Sequence, residues 1–170
     1  MDFSTGYSAM IRDAIAADLP AIVDIYNHAV ATKTITADVE PVTIASRLEW
    51  FRSHSSDRYP LWVLERDGKI AGWFAFRMFY GREAYRSTAE ISLYVAPEFH
   101  RQGVGQSLLT YAIAQSPKLG IKTLLGIAFA ENAPSVELLK KFGFEQWGYL
   151  PEVARSWECD RDVIILGRKI

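Results

Sequence analysis

Apolar residues recur at helical spacing through Leu19, Ile22, Ile25, Tyr26, Ala29 and Val30. That period predicts a first helix, with Asp18 as its N-cap and Pro20 tolerated in its first turn. Thr43 is placed to cap a second helix, whose buried stripe is expected to be Ile44, Leu48 and Phe51. Before these, residues 8–13 read as a short strand and residues 1–7 as a flexible leader. The period then shortens. Leu61 to Glu65 reads as a strand, residues 66–69 as a turn with Asp67-Gly68 at its centre, and Ile70 to Phe79 as the returning strand. After a connection over residues 80–86, Thr88 to Val95 is a strand ended by Pro97. Gly103 to Ser116 is helical, with Val104, Leu108, Leu109, Ala112 and Ile113 on one side. Gly120 closes it, and Thr123 to Ala128 follows as a strand. Pro134 opens a short helix through Phe142, with Gly143 just past its end. Strands around 146–153 and 162–168 finish the chain.

Helices and strands are interleaved, yet hairpins are present too. The pattern therefore predicts an α+β fold: three layers, α/β/α, around a central mixed and largely antiparallel sheet. No composition shift or internal repeat divides the chain, so residues 1–170 are read as a single domain.

Composition narrows the function. The chain is 49% hydrophobic and 13% aromatic, which excludes a disordered protein. A formal net charge of -1 gives no basic excess for nucleic acid and no polybasic block for a membrane surface. A single cysteine, Cys159, and three scattered histidines supply no disulfide and no metal-ligand spacing, so no metal is expected. The first ten residues lack a basic and apolar export signal, and no apolar run of membrane-spanning length follows. A soluble, cytoplasmic protein is expected.

The chemistry concentrates around His100-Arg101-Gln102-Gly103-Val104-Gly105, between a strand and a helix. A helix N-terminus exposes unpaired N–H groups and partial positive charge. Glycines let the backbone approach a ligand and reach positive φ. Together they suit a diphosphate, held by the backbone of Arg101, Gln102, Gly103, Val104, Gly105 and Gln106. A strand-to-helix turn needing glycine only for its geometry is the alternative. The loop lacks the Lys-Ser/Thr ending of a nucleotide P-loop and the three-glycine spacing of a dinucleotide fold.

The run from Tyr94 to Gly105 resembles the acetyl-CoA motif of the GCN5-related N-acetyltransferases (GNAT), Arg/Gln-x-x-Gly-x-Gly/Ala, with His100 in place of the first Arg or Gln. Asn132-Ala133-Pro134-Ser135 and the later Gly143-Phe144 resemble the family's second motif. Ile11-Arg12-Asp13-Ala14, Asp24 to His28, Glu40-Pro41-Val42, Arg47-Leu48-Glu49-Trp50 and Ala84 to Glu90 are similar to phosphinothricin acetyltransferases. The resemblance implies acetyl-CoA as acyl donor, with Asn132 bonding the pantetheine arm and Ser135 beside it. It also implies transfer to the α-amine of a small amino-acid analogue such as phosphinothricin, methionine sulfoximine or methionine sulfone. Members are commonly homodimers. In the family, His28 and residues 34–38 correspond to a stretch that closes over substrate; taken alone they read as a helix end and a polar loop.

On the strand from Thr88 to Val95, alternation puts Thr88, Glu90, Ser92 and Tyr94 on a polar face, and Ala89, Ile91, Leu93 and Val95 on a core face. Glu90 is the candidate general base, a position the resemblance also implies. Backbone N–H groups around Leu93, Tyr94 and Val95 are candidates to hold the cofactor and the developing oxyanion. The family's tyrosine acid falls on Leu139 here, so no general acid is assigned. For the acceptor's carboxylate, Arg77 and Arg86 are the strongest candidates, ahead of Arg82, with Tyr85, Phe79 and Trp73 as pocket walls. Two other readings stay open: an acetyltransferase for protein N-termini or another amine, and a non-catalytic acyl-CoA-binding sensor.

Overall fold

The computed structural model describes residues 9–170, so the expected leader over 1–7 and the strand start at Ser8 lie outside the described residues. One sheet of seven strands runs through the molecule in the order β1-β2-β3-β4-β5-β7-β6. The strands are β1 (Ala9–Asp13), β2 (Leu61–Arg66), β3 (Lys69–Met78), β4 (Thr88–Val95), β5 (Thr123–Phe129), β6 (Glu145–Ser156) and β7 (Cys159–Lys169). Every neighbouring pair is antiparallel except β4 and β5. Helices α1 (Leu19–Ala31) and α2 (Ile44–Arg52) cover one face, and α3 (Val104–Gln115) and α4 (Ala133–Lys141) the other. The expected three-layer α+β architecture with a mixed, mainly antiparallel sheet is what the chain adopts. No helix among the described residues is long and apolar enough to cross a membrane.

Alternation along the central strands explains the layers. Trp62 and Leu64, Phe74 and Phe76, and Ala89 and Ile91 point to α3, where Val104, Leu108, Leu109 and Ala112 meet them. Leu61 and Val63, with Trp73 and Ala75, point the other way, onto Ile22 and Ile25 of α1. Because β2 and β3 are covered on both faces, they read as continuous apolar runs. The β2–β3 turn uses Asp67 and Gly68 at φ 52 and 76, the paired positive values that a two-residue hairpin requires.

Two expectations are corrected. Asp18 does not cap α1, because its backbone is already helical there. Its buried carboxylate instead accepts from the Ile15 N–H at 2.8 Å and from Arg12 at 2.7 Å, and Arg12 also reaches Glu65 on β2. On α2 the inward residues are Arg47, Trp50 and Phe51, and Ile44 and Leu48 are exposed. The stripe is rotated by about one residue because α2 turns a guanidinium, not only an apolar edge, toward the interior. Thr43 does cap α2, accepting from the Ser46 N–H at 3.0 Å.

Asp18, Arg12 and Glu65 tie the start of α1 to the edge of the sheet. Burial opposes ionisation of Asp18, but the hydrogen bonds from Arg12 and Ile15 and the charge of Arg12 prevail and hold its carboxyl below the usual carboxylate range. With a depressed folded pKa, its contribution is present above the unfolded value near ~3.9 and is lost as pH falls through the folded value. Asp18→Ala should cost about 1–3 kcal/mol in urea unfolding at pH 7. The gap from the parent should shrink in acid, once the parent's own carboxylate protonates.

Candidate active site

Beside the parallel junction the sheet opens. β4 and β5 share three pairs, Thr88 with Thr123, Ala89 with Leu124 and Glu90 with Leu125, and pair no further. β4 runs on to Val95 and β5 to Phe129, so a wedge opens between them. The pleat settles which backbone groups face it. The Ala96 N–H bonds β3 and the Ser87 carbonyl bonds the β5 side. Even-numbered residues of β4 therefore pair with β3, and the N–H groups of Leu93 and Val95 are directed into the wedge. A cavity of about 500 Å³ occupies this place, walled by Glu90, Leu93 and Tyr94 of β4, Ile127 and Phe129 of β5, and Asn132 and Ser135 of α4.

At the α3 end lies the glycine loop. Gly103 sits in the left-handed region at φ 80, immediately before the helix, and Arg101 is also left-handed at φ 59. The Ser107 N–H reaches the Gly103 carbonyl at 2.9 Å. The N–H groups of Val104, Gly105 and Gln106 lie before that bond, so α3 gives them no partner. Gly105 serves packing: a Cβ there would come 3.2 Å from Leu138 of α4. Three side chains of this stretch are engaged within the protein. Gln102 bonds the Glu98 carbonyl at 2.8 Å and accepts from Arg66 at 3.2 Å, and Gln106 accepts from Lys141 at 3.1 Å. His100 turns back to the Val95 carbonyl at 3.0 Å. What the loop offers an anion is backbone, with the exposed Arg101 side chain beside it.

Across the sheet, the cavity has a polar, aromatic end. Arg77 of β3 stands directly opposite Glu90 of β4, with 3.7 Å between guanidinium and carboxylate. Trp73 and Tyr94 stack 4.8 Å apart, Tyr26 of α1 meets Tyr94 at 5.1 Å, and Trp50 meets Trp73 at 5.6 Å. Tyr26 donates to Asp38 at 2.5 Å, and Arg47 donates to the same carboxylate oxygen at 2.8 Å. Burial, then the Asp38 hydrogen bond, raises the Tyr26 phenol above its ordinary value, and burial raises that of Tyr94. Both keep their protons at neutral pH. The connection after α1 is fastened over the cavity by these bonds and by Asn27, which exchanges two hydrogen bonds with Val42, at 2.9 and 2.8 Å.

Of the residues singled out from sequence, Glu90, Leu93, Tyr94, Asn132, Ser135, Arg77 and Trp73 are gathered around this one cavity. Val95 and residues 101–106 do not line it; they lie at the end of β4 and around the start of α3. Arg86, Tyr85 and Phe79 do not line it. Phe79 and Tyr85 form a separate cluster with Tyr80, and Arg86 pairs with Glu83 at 3.4 Å beside a shallow second depression near Lys118. The β3–β4 connection carries all three away from the wedge. Of the stretch that the resemblance places over substrate, residues 35–38 line the cavity and His28 does not; Tyr26, Arg47 and Trp50 are cavity residues that sequence reasoning did not single out. One signal was available: Arg47 shares the helical spacing of Trp50 and Phe51, an arginine on an otherwise aromatic face.

Residues 22–144 match the Acetyltransferase (GNAT) family profile. This chain belongs to the GNAT family of acetyltransferases. It is an N-acetyltransferase, and its acyl donor is acetyl-CoA. The provisionally named phosphinothricin acetyltransferase YwnH of Bacillus subtilis is 44% identical, over 94% of this chain and 98% of that one. The L-methionine sulfoximine/L-methionine sulfone acetyltransferase of Pseudomonas aeruginosa is 34% identical, over 88% of each. Among solved structures, a GNAT superfamily phosphinothricin acetyltransferase from Sinorhizobium meliloti in complex with AcCoA superposes with a TM-score of 0.89. It is 28% identical, with 95% of this chain and 88% of that one covered.

The residues present fit the donor. The unpaired N–H groups at the start of α3 suit its diphosphate, and the open edge of β4 suits the amides of its arm. Asn132 serves two ends. Its Oδ1 accepts from the Ser135 N–H at 3.4 Å, capping α4, while its Nδ2 remains a donor on the cavity wall. Asn132→Ala should remove both functions, lowering stability by about 1 kcal/mol and raising the KM for acetyl-CoA. Asn132→Asp should keep the cap and lose only the donor. Its melting temperature should stay near the parent's while the acetyl-CoA KM still rises. Equal thermal losses in both variants would show that Asn132 acts through more than its cap.

Proposed function

We propose that the protein transfers the acetyl group of acetyl-CoA to the α-amine of a small amino-acid analogue of the phosphinothricin, methionine sulfoximine or methionine sulfone type. The observation that carries this reading is the Arg77–Glu90 pair. The two side chains face each other across neighbouring strands, on the cavity wall, at 3.7 Å. That distance exceeds a hydrogen bond, so each group is free to accept a ligand partner. An α-amino acid carries a carboxylate and an amine on one carbon. Arg77 takes the carboxylate and Glu90 faces the amine. The names of the two curated relatives agree with such acceptors.

Acetyl-CoA supplies an activated acyl thioester, and the protein supplies placement and proton handling. The backbone of residues 101–106 and the side chain of Asn132 hold the donor along the wedge, with Ser135 alongside. An α-amine with a pKa near ~8 is mostly protonated at pH 7. Glu90 removes the proton, directly or through one water, and so permits direct attack within a ternary complex. The N–H groups of Leu93 and Val95 face the place where negative charge develops on the acyl oxygen. The Leu139 side chain offers no proton to the departing thiolate. With a thiol pKa near ~8.5, the thiolate leaves without one.

The proposal includes a homodimer. Tyr80, Tyr85, Trp147, Tyr149 and Leu150 are exposed apolar side chains of the kind that self-association covers, and sedimentation should then return twice the chain mass.

Glu90→Gln keeps the shape and removes the base. At neutral pH, turnover followed by CoA thiol release should fall about 10²–10⁴-fold, with acetyl-CoA binding nearly intact. Unchanged turnover would remove Glu90 from the mechanism. A panel of amino-acid analogues, with a peptide N-terminus alongside, tests the acceptor class. Turnover confined to the peptide would overturn it, and binding of acetyl-CoA without turnover on any amine would favour a sensor.

A further inference from the structure

The cavity wall carries a second ion pair that the mechanism above does not use. Arg47 of α2 and Asp38 of the α1–α2 connection both line it. Arg47 lies over the Tyr26 ring at 4.8 Å and over the Trp50 ring at 5.7 Å, and its side chain is only 23% exposed. Tyr94 links the two pairs, because Asp38, Arg47 and Arg77 all act electrostatically on its buried phenol. A guanidinium has five N–H donors. Among the described residues, one of them has a hydrogen-bond acceptor, the Asp38 carboxylate. Arg47 is therefore a fixed multiple donor whose charge is already balanced.

We propose that Arg47 selects the acceptor by donating hydrogen bonds to an oxygen at the far end of an uncharged amino-acid side chain, as in a sulfone or sulfoximine. The inference rests on the α-amino-acid reading of the Arg77–Glu90 pair. With that pair holding the α-carbon, the side chain extends along Tyr94, Trp73 and Trp50, whose rings suit methylene groups. At the end of that wall stands Arg47. A thioether gives its donors no partner, a loss that the partly buried setting of Arg47 does not fully return to solvent. A fully anionic side chain brings a fourth negative charge, beside Glu90, Asp38 and the acceptor's α-carboxylate, into a cavity where Asp38 already answers Arg47. A neutral oxygen takes the donors without that repulsion.

Two variants separate selection from simple support of the loop. The parent enzyme should acetylate methionine sulfone and sulfoximine with a higher kcat/KM than methionine or phosphinothricin. Arg47→Met keeps length and removes every donor. It should reduce the preference for sulfone over methionine about 10- to 100-fold, the worth of hydrogen bonds from a charged donor, with the acetyl-CoA KM unchanged. Asp38→Asn leaves Arg47 present but removes its balancing charge. It should shift preference toward the anionic phosphinothricin, which mere loosening of the loop would not do.

A parent enzyme that acetylates amino acids without favouring the sulfone overturns the inference and leaves the α-amino-acid reading standing. So does an Arg47→Met enzyme that loses activity on all acceptors in equal proportion, or an Asp38→Asn enzyme with unchanged selectivity. A parent enzyme inactive on every amino acid overturns both.

Discussion

A parallel pair of strands that holds for three residues and then separates leaves a row of backbone donors and acceptors without partners. Buried polar groups of that kind need partners from some other source. In this fold the separation of β4 from β5 after Glu90 and Leu125 is the constraint on which the site depends. It directs the Leu93 and Val95 N–H groups into open space, and it places Glu90 at the last closed rung. It also lets α4 set Asn132 and Ser135 across the gap from β4. An extended molecule rich in amides fits such an edge as a strand would. On the proposed reading the N-terminus of α3 then receives the anionic end, since α3 follows β4 after one short connection. One break in pairing thus orders the places proposed for the donor, the base and the oxyanion contacts along β4.

The acceptor side is governed by charge balance in a partly solvated cavity. Two guanidiniums and two carboxylates line the cavity, in the pairs Arg77–Glu90 and Arg47–Asp38. The pairs differ in kind. At 3.7 Å the first is too long for a hydrogen bond and leaves both groups able to turn to a ligand, whereas the second is closed at 2.8 Å and braced by Tyr26. Tyr94 belongs to both halves of the machine. Its backbone lies between the two donors on the cofactor edge, and its ring lies among the acceptor-side aromatics. A substitution at Tyr94 therefore perturbs both substrates together, and it is a poor probe of either alone.

Much of this was legible in the chain before the structure. The period change from α1 to β2, the Asp67-Gly68 turn and the Gly103 and Gly143 punctuation are local signals, because a single residue's allowed φ sets each one. Alternation on β4 separated Glu90 from the core side correctly. What stayed hidden was assembled by distant parts. Asp38, Arg47 and Tyr26 meet because the α1–α2 connection folds over the sheet, and no periodicity reports that. Arg86, Tyr85 and Phe79 lie near Glu90 in sequence, but the connection carries them elsewhere. The β6–β7 hairpin was also hard to read. Its turn places Trp157 and Glu158 at positive φ where Asn-Gly would signal it. Asp18 misled for another reason. An acidic residue before a helix resembles a cap, yet Arg12 claims it through a bond that only the sheet makes possible.

Leu139 shows how packing can settle a chemical question. It occupies the position where the family resemblance implies a tyrosine acid, and it is buried against β5. A Cβ on Gly126 would come 2.6 Å from its side chain, so α4 rides on β5 with nothing between them but that leucine. The close approach is useful in itself, because it brings the N-terminus of α4, and with it Asn132, over the wedge. Proton delivery at this position would require a polar group where the helix needs an apolar wedge. A thiolate, with a thiol pKa near ~8.5, is a competent leaving group without a proton donor. On the proposed mechanism the protein gives its placement to the nucleophile's proton, at Glu90, and uses the opposite wall to hold the helix against the sheet.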